Sequence, residues 1–277
     1  MTITCDRRAS HQRRRALDDY FTANVLAGGF VCAHKSECKR SHPGTFLEGQ
    51  LHHVGQFYDL LLDRSPLRVV IVGQEYGHGP AQVDSHHRHA MIMDSGTQCR
   101  FEAEPGHKGR NPHMRGTTSA LRLLFGIPLG SDYESESVPI DGERVHLFDA
   151  FALVNYLLCS AVAEDSRSRG LATPTMKKSC RHHFREALRI LEPTVVVVQG
   201  KNFWPWVQDA FDSVNRIHRS HPVHAARLGS MQALVASFTH PSARYPSNWG
   251  MNDRTPYLLE VVAPSLAWIR NRILRRR

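Results

Sequence analysis

The sequence predicts an α/β fold in three layers, α/β/α, around a central four-stranded, mostly parallel sheet. Three observations predict it. Candidate strands and helices alternate along the chain, the order that builds a parallel sheet covered on both faces. Residues 69–72 and 194–200 are short runs of branched apolar residues, as in strands buried on both sides. Three of the four candidate strands run into polar groups, Gly73-Gln74-Glu75, Gln199-Gly200-Lys201 and Thr239-His240-Pro241-Ser242. Ligands of open α/β sheets sit beyond such carboxyl ends.

The elements follow in order. Residues 16–26 carry Leu17, Tyr20, Phe21 and Val25 near helical spacing, which predicts a helix. The arginine-rich stretch before it, about 1–15, reads as a basic extension. "GGFVCAHKSECKRSHPG" is rich in turn residues and charge and predicts a loop. "FYDLLLDRSP" predicts the end of a second helix, closed by Pro66. Residues 69–72 are the first strand. Residues 77–116 are polar, with many His, Gly and Pro, and predict a long loop of the kind that usually carries function. "TSALRLLFG" predicts a helix ending at Gly126. "VHLFDAFALVNYLLCS" is the second strand region, with Asn155 inside an apolar segment. Pro174 opens a helix over "TMKKSCRHHFREALRIL", with Thr173 as N-cap. "TVVVVQG" and "QALVASFTHPS" are the third and fourth strands. "TPYLLEVVAPSLAWIRNRIL" predicts a closing helix over about 255–277, bent at Pro264. With no internal repeat and no low-complexity linker, residues 1–277 read as one domain.

The chain has 277 residues, 41% hydrophobic, with a formal charge of +9. That size supports a substantial core. No apolar run is long enough to span a membrane, and no apolar stretch follows the basic N-terminus as a secretory signal requires. A cytoplasmic protein is expected, nucleoid-associated if bacterial, with a monomer as the default. The positive charge favours a polyanion such as nucleic acid; part of it lies in "RRASHQRRR" and "RNRILRRR", which also suit solvated tails. Six cysteines in a cytosolic chain point to metal ligands, reactive thiols or buried small hydrophobes rather than disulfides.

"GQEYGHGP", "NYLLC" and "THPSARYP", in that order, resemble the uracil-DNA glycosylase superfamily. The resemblance runs from about residue 31 to residue 249. The first motif is similar to the GQDPYHGPGQ pattern of the first family through Gln82, set in a strand more like the GEAPG turn of the iron–sulfur families. The resemblance implies an enzyme of base-excision repair that hydrolyses the N-glycosidic bond of uracil in DNA and leaves an abasic site. Its partner is DNA carrying uracil or another deaminated base. It also implies a role for each matching residue. Asn155 would read the uracil edge, because an amide both donates and accepts. His240 would donate to O2 of the leaving base. Glu75 stands where the first family has its water-orienting acid, one methylene longer. Gln74 would contact the base, with Gly73 and Gly77 allowing close approach. Tyr76 would wall the pocket, although Tyr76-Gly77 departs from the family's Pro-Tyr and leaves exclusion of thymine open. His113 or Met114, in "GRNPHMRG", would replace the stacking Phe of "GRPFVG". Arg244 or Tyr245 would fill the hole left by the flipped base, and Lys201 and Ser242 would hold phosphates.

In the iron–sulfur families four cysteines hold a four-iron, four-sulfur cluster. Cys159 after the Asn strand and Cys180 in the next helix match the later pair by position. Cys32 and Cys38 would be the early pair, in "CAHKSEC" rather than the family's C-x-x-C. Zinc, with help from His34 or His42, is the rival occupant. Cys5 and Cys99 are left as free thiols. Other readings are a non-catalytic or weakly active binder of deaminated DNA, a glycosylase that also takes hypoxanthine or thymine opposite guanine, and an iron–sulfur redox protein.

Overall fold

A computed structural model describes residues 2–77, 82–162 and 171–275. Its centre is a mixed sheet of seven strands: β1 (His53–Val54), β2 (Val69–Gly73), β3 (Ala152–Asn155), β4 (Val195–Gln199), β5 (Ser213–Arg216), β6 (Val223–Leu228) and β7 (Met231–Phe238). The order across the sheet is β5-β6-β7-β4-β2-β3-β1. The four expected strands are its middle, and they pair in parallel: β7 with β4, β4 with β2, β2 with β3. The expected four-stranded sheet is therefore too small. Three edge strands extend it through antiparallel pairs. Their short or half-exposed sequences, such as "SVNR" and "HV", lack the apolar run that marks a central strand.

Alternation of side chains splits the core. Val69, Ile71, Val195 and Val197 face one side, with α4 (Pro112–Phe125) and α7 (Ala263–Leu274). Val70, Val72, Val196 and Val198 face the other, with α1 (Arg7–Asn24) and α5 (Pro174–Leu191). Each of these strand residues is wholly buried. The caps are those the sequence signals. Thr173 accepts from the Met176 N–H at 3.2 Å, and Gly126, at φ 77°, ends α4 in the left-handed conformation. No helix among the described residues is long and apolar enough to cross a membrane.

Three local expectations are corrected. "FYDLLLDRSP" is a hairpin, not a helix end. Leu60–Leu62 pairs with Ser65–Leu67, and Asp63 and Arg64 turn the chain with φ of 46° and 72°, the positive pair that tight hairpins use. The basic N-terminus is not an extension: Ile3–Cys5 joins that hairpin, and α1 starts at Arg7 on the Asp6 cap. The supposed loop of residues 77–116 contains α3 (Ser85–Thr97), capped by Asp84, and the first turn of α4. Only Arg88, Ile92 and Gly96 of α3 are buried, so it has almost no apolar stripe to read. The expected closing helix is present: residues 256–274 are helical throughout, with a π-helical segment at Leu258–Val262 that runs straight into α7, and Pro264 follows that segment, a common site of local helix irregularity.

Candidate functional site

The parallel strands end on one side of the sheet, and a cavity of about 1010 Å³ opens there. Gly73, Gln74, Glu75 and Tyr76 line it from the end of β2, Asn155 from β3, Lys201 after β4 and His240 after β7. His113 and Met114 enter from the first turn of α4, and Arg244 and Tyr245 from the loop beyond His240. Eleven residues expected from sequence thus share one space. Gly77 and Ser242 lie just outside its lining. The Gly77 N–H donates to Ser160 Oγ at 3.0 Å, which ties the turn after Tyr76 to the segment after β3. His78, Gly79, Pro80 and Ala81, the rest of the first motif, lie outside the described residues.

Register explains the meeting. Asn155 pairs with Gly73 across β3 and β2, and the Tyr156 and Leu157 N–H groups donate to the Gly73 and Gln74 carbonyls at 2.9 and 2.8 Å. A Cβ on Gly73 would lie 3.0 Å from Asn155 Oδ1 and 3.2 Å from His113 Cε1. Any larger residue would push on the two polar side chains that converge on this backbone. Asn155 is 3% exposed, and its position is set by the strand.

Glu75 accepts from Gln74 Nε2 at 3.0 Å through Oε1, while its buried Oε2 has no hydrogen-bond partner. Burial raises its pKa; Gln74, the Ala161 backbone and Lys177 offset part of the rise. His113 is pushed down to about 3 by burial, then by the nearby charges of His240 and Arg88. Its ring lies 6.3 Å from that of His240, nearly parallel. His240 is also lowered by burial, although its ring reaches solvent at the cavity mouth. Its Nδ1 accepts the Ser242 N–H at 3.2 Å and contacts Ser242 Oγ at 2.8 Å. An accepting Nδ1 places the proton of the neutral ring on Nε2, as a donor. Ser242 therefore orients His240.

The loop carrying His240 is pinned from below. The wholly buried Trp249 donates to the Thr239 carbonyl at 2.7 Å, and Thr239 Oγ1 donates to the Ser247 carbonyl at 2.8 Å. Gly116 of α4 lets Pro241 and Trp249 approach, since a Cβ would meet both at 3.0–3.1 Å. Tyr245 is 75% exposed, at the rim.

Sequence reasoning missed α3, and with it Arg88, Met91, Ile92 and Ser95, which form one wall. The Arg88 guanidinium lies 4.3 Å from the centre of the Tyr76 ring, and Tyr76 Oη donates to Met91 Sδ at 3.7 Å. The Asp84 N-cap before an otherwise polar stretch was the available signal.

A second, small cavity lies beyond β3. Cys32, Cys38, Cys159 and Cys180 all line it, with His34 and His183. Cys38, Cys159 and Cys180 are buried, and Cys32 Sγ is 3.7 Å from His183 Nε2. Burial raises all four thiols, Cys180 to about 12. His42 is elsewhere, stacked on Phe46. Among the described residues no three His, Cys, Asp or Glu side chains are grouped to hold a single metal ion. Cys5 and Cys99 line neither cavity.

No protein-family model and no curated protein matches the chain.

Proposed function

We propose that the chain is a DNA glycosylase that removes uracil, hydrolysing the N-glycosidic bond of a flipped-out nucleotide. One observation carries this reading: Asn155, Glu75 and His240, from three separate strand ends, line the same cavity. Helices on both sides of the sheet support the three-layer, glycosylase-like arrangement expected from sequence.

Each group has a task. Asn155, buried and held by its strand, is suited to read the base edge, donating to O4 and accepting from N3–H. His113, kept neutral, offers a flat face to the base. As the bond breaks, its electron pair leaves with N1 and the sugar becomes cationic. Neutral His240, with its proton on Nε2, donates to O2 as charge builds there. The Glu75 carboxylate favours the cation and accepts a proton from the attacking water. Lys201, Arg244 and Tyr245, at the rim, are placed to meet the strand and fill its gap. Tyr76 is a wall of the cavity, so the preference among uracil, thymine and hypoxanthine turns on it.

The four cysteines fit the donor set of an iron–sulfur cluster: all are thiols, and all line one small cavity. Cys32, Cys38, Cys159 and Cys180 would hold it, and a bound cluster would cross-link the early loop to the segment after β3 and to α5.

The test is incubation of anaerobically purified protein with duplexes carrying U·G, U·A, T·G and hypoxanthine·T, with abasic sites read by alkaline cleavage. Cleavage at uracil is expected, with His240→Ala slower by about 10²–10³. Tight binding of uracil-DNA without abasic product would assign the binder reading instead.

A further inference from the structure

Among the described residues, Arg88 is a buried cation without a salt-bridge partner. It is 5% exposed, yet no carboxylate pairs with it among the described residues, and its Nε has no hydrogen-bond partner. A buried charge of this kind is costly. The side chain nonetheless lines the cavity, its guanidinium held against the Tyr76 ring. Burial lowers its pKa only to about 10, with Tyr76 opposing the fall, so it stays charged at neutral pH. Among the described residues Glu75 is the acid that lines the cavity, and its carboxylate accepts from Gln74 and forms no salt bridge with Arg88. Arg88 enters the cavity from α3, whereas Glu75 enters just after the end of β2. The charge of Arg88 also reaches His113 and helps to keep that ring neutral.

A reaction that splits a neutral nucleoside into a sugar cation and a base anion uses such a separation. We propose that Arg88 is the anion-binding group of the pocket, and that its ligand is the pyrimidine ring as it departs with negative charge. This rests on the glycosylase reading. The C1′–N1 bond breaks and its electron pair stays on N1, delocalised to the ring oxygens. Water adds to C1′, and its proton passes to Glu75. Arg88 faces the base and Glu75 the sugar. DNA phosphates are the other anions available, but the strand backbone stays at the rim, beside the exposed Arg244 and Tyr245, while Arg88 lies in the interior.

The experiment needs no catalysis. Calorimetry compares uracil, which is neutral at pH 7, with barbiturate, a pyrimidine trione that is a ring anion there, and with inorganic phosphate. Wild-type protein is expected to bind barbiturate roughly tenfold or more tightly than uracil, since hydrogen bonds to a charged acceptor are the stronger ones. Arg88→Met should remove that preference and Arg88→Lys keep part of it. Phosphate should not displace barbiturate. Equal affinity of the wild type for both pyrimidines overturns the proposal without recourse to any variant, and so does a preference that survives in a folded Arg88→Met protein. Displacement by phosphate at similar affinity would reassign Arg88 to the DNA backbone. If the preference is found but uracil-DNA is never cut, the anion subsite stands and the glycosylase reading falls.

Discussion

At the scale of single residues, Glu75 and His240 share a principle: burial moves each toward its neutral form, by raising the acid and lowering the base. In the proposed glycosylase the neutral ring is the useful form of His240, because Ser242 has already fixed the donor on Nε2, and the carboxylate is the useful form of Glu75. Activity should therefore fall as pH drops through the raised Glu75 pKa, above the ordinary 4.5. Glu75→Gln should lose most activity together with that acid limb; an unchanged acid limb in the variant would remove Glu75 from the mechanism. Stability has the opposite sign. Between the ordinary and the raised pKa the folded state holds the proton more tightly than the unfolded chain, so stability falls as pH rises through that window. Glu75→Gln removes the charge that remains above it. It should gain about 1 kcal/mol at neutral pH, a Tm rise of roughly 2–4 °C by calorimetry.

At the scale of elements, the wall formed by α3 is held from its C-terminal end. Arg110, just before α4, donates to the Ser95, Gly96 and Cys99 carbonyls at 2.8, 3.1 and 3.1 Å. Its guanidinium also pairs with Glu136, and both side chains are wholly buried. This arginine supplies the donors that the last turn of a helix needs and joins α3 to α4, so Arg88 and His113 are positioned together. Glu136→Gln leaves a buried guanidinium without its charge partner and should cost about 3–5 kcal/mol in urea denaturation. Trp249→Phe is a milder test of the opposite wall. It strands the Thr239 carbonyl next to His240 and should cost about 1–3 kcal/mol, and under the proposed function turnover of uracil-DNA should fall in the same variant. Wild-type turnover in folded Trp249→Phe would show that the His240 loop is held by something else.

At the scale of the whole molecule, the two cavities are joined through the segment after β3. Asn155 lines one and Cys159 the other, and between them the Leu157 N–H holds the Gln74 carbonyl at 2.8 Å. A group bound by the thiols would therefore stiffen the turn that carries Gln74 and Glu75. Cys159→Ser and Cys180→Ser are expected to lose iron and sulfide in anaerobic metal analysis and to melt earlier. Cys5→Ser and Cys99→Ser should keep both. Full iron content in Cys159→Ser with Cys180→Ser combined would end the cluster assignment. The charge of +9 belongs to this scale too: ion pairs such as Arg13 with Asp59 and Glu192, and Arg122 with Asp132, each cancel within themselves, so the positive excess remains available to a polyanion.

Strong local signals survived the passage from chain to fold. The branched runs of β2 and β4 are strands because nothing but a sheet interior buries every residue of such a run. Thr173 and Gly126 mark helix ends because capping is a matter of a few adjacent atoms. The polar residues that follow β2, β4 and β7, and Asn155 at the end of β3, were readable as one cluster, since parallel strands deliver their carboxyl ends to one side. The hairpin at Leu60–Leu67 and α3 were not readable. The first depends on two left-handed residues, Asp63 and Arg64, that have no glycine to announce them. The second is a polar helix held by Arg110 and by a few buried side chains. The sharing of one cavity by Cys32 and Cys180 was expected from the family resemblance and from no local pattern, and the placing of Arg88 beside Tyr76 was decided by tertiary structure alone. These pairs meet through packing between distant or separately folded segments, and no local pattern encodes a contact whose partners are chosen by the shape of the rest of the molecule.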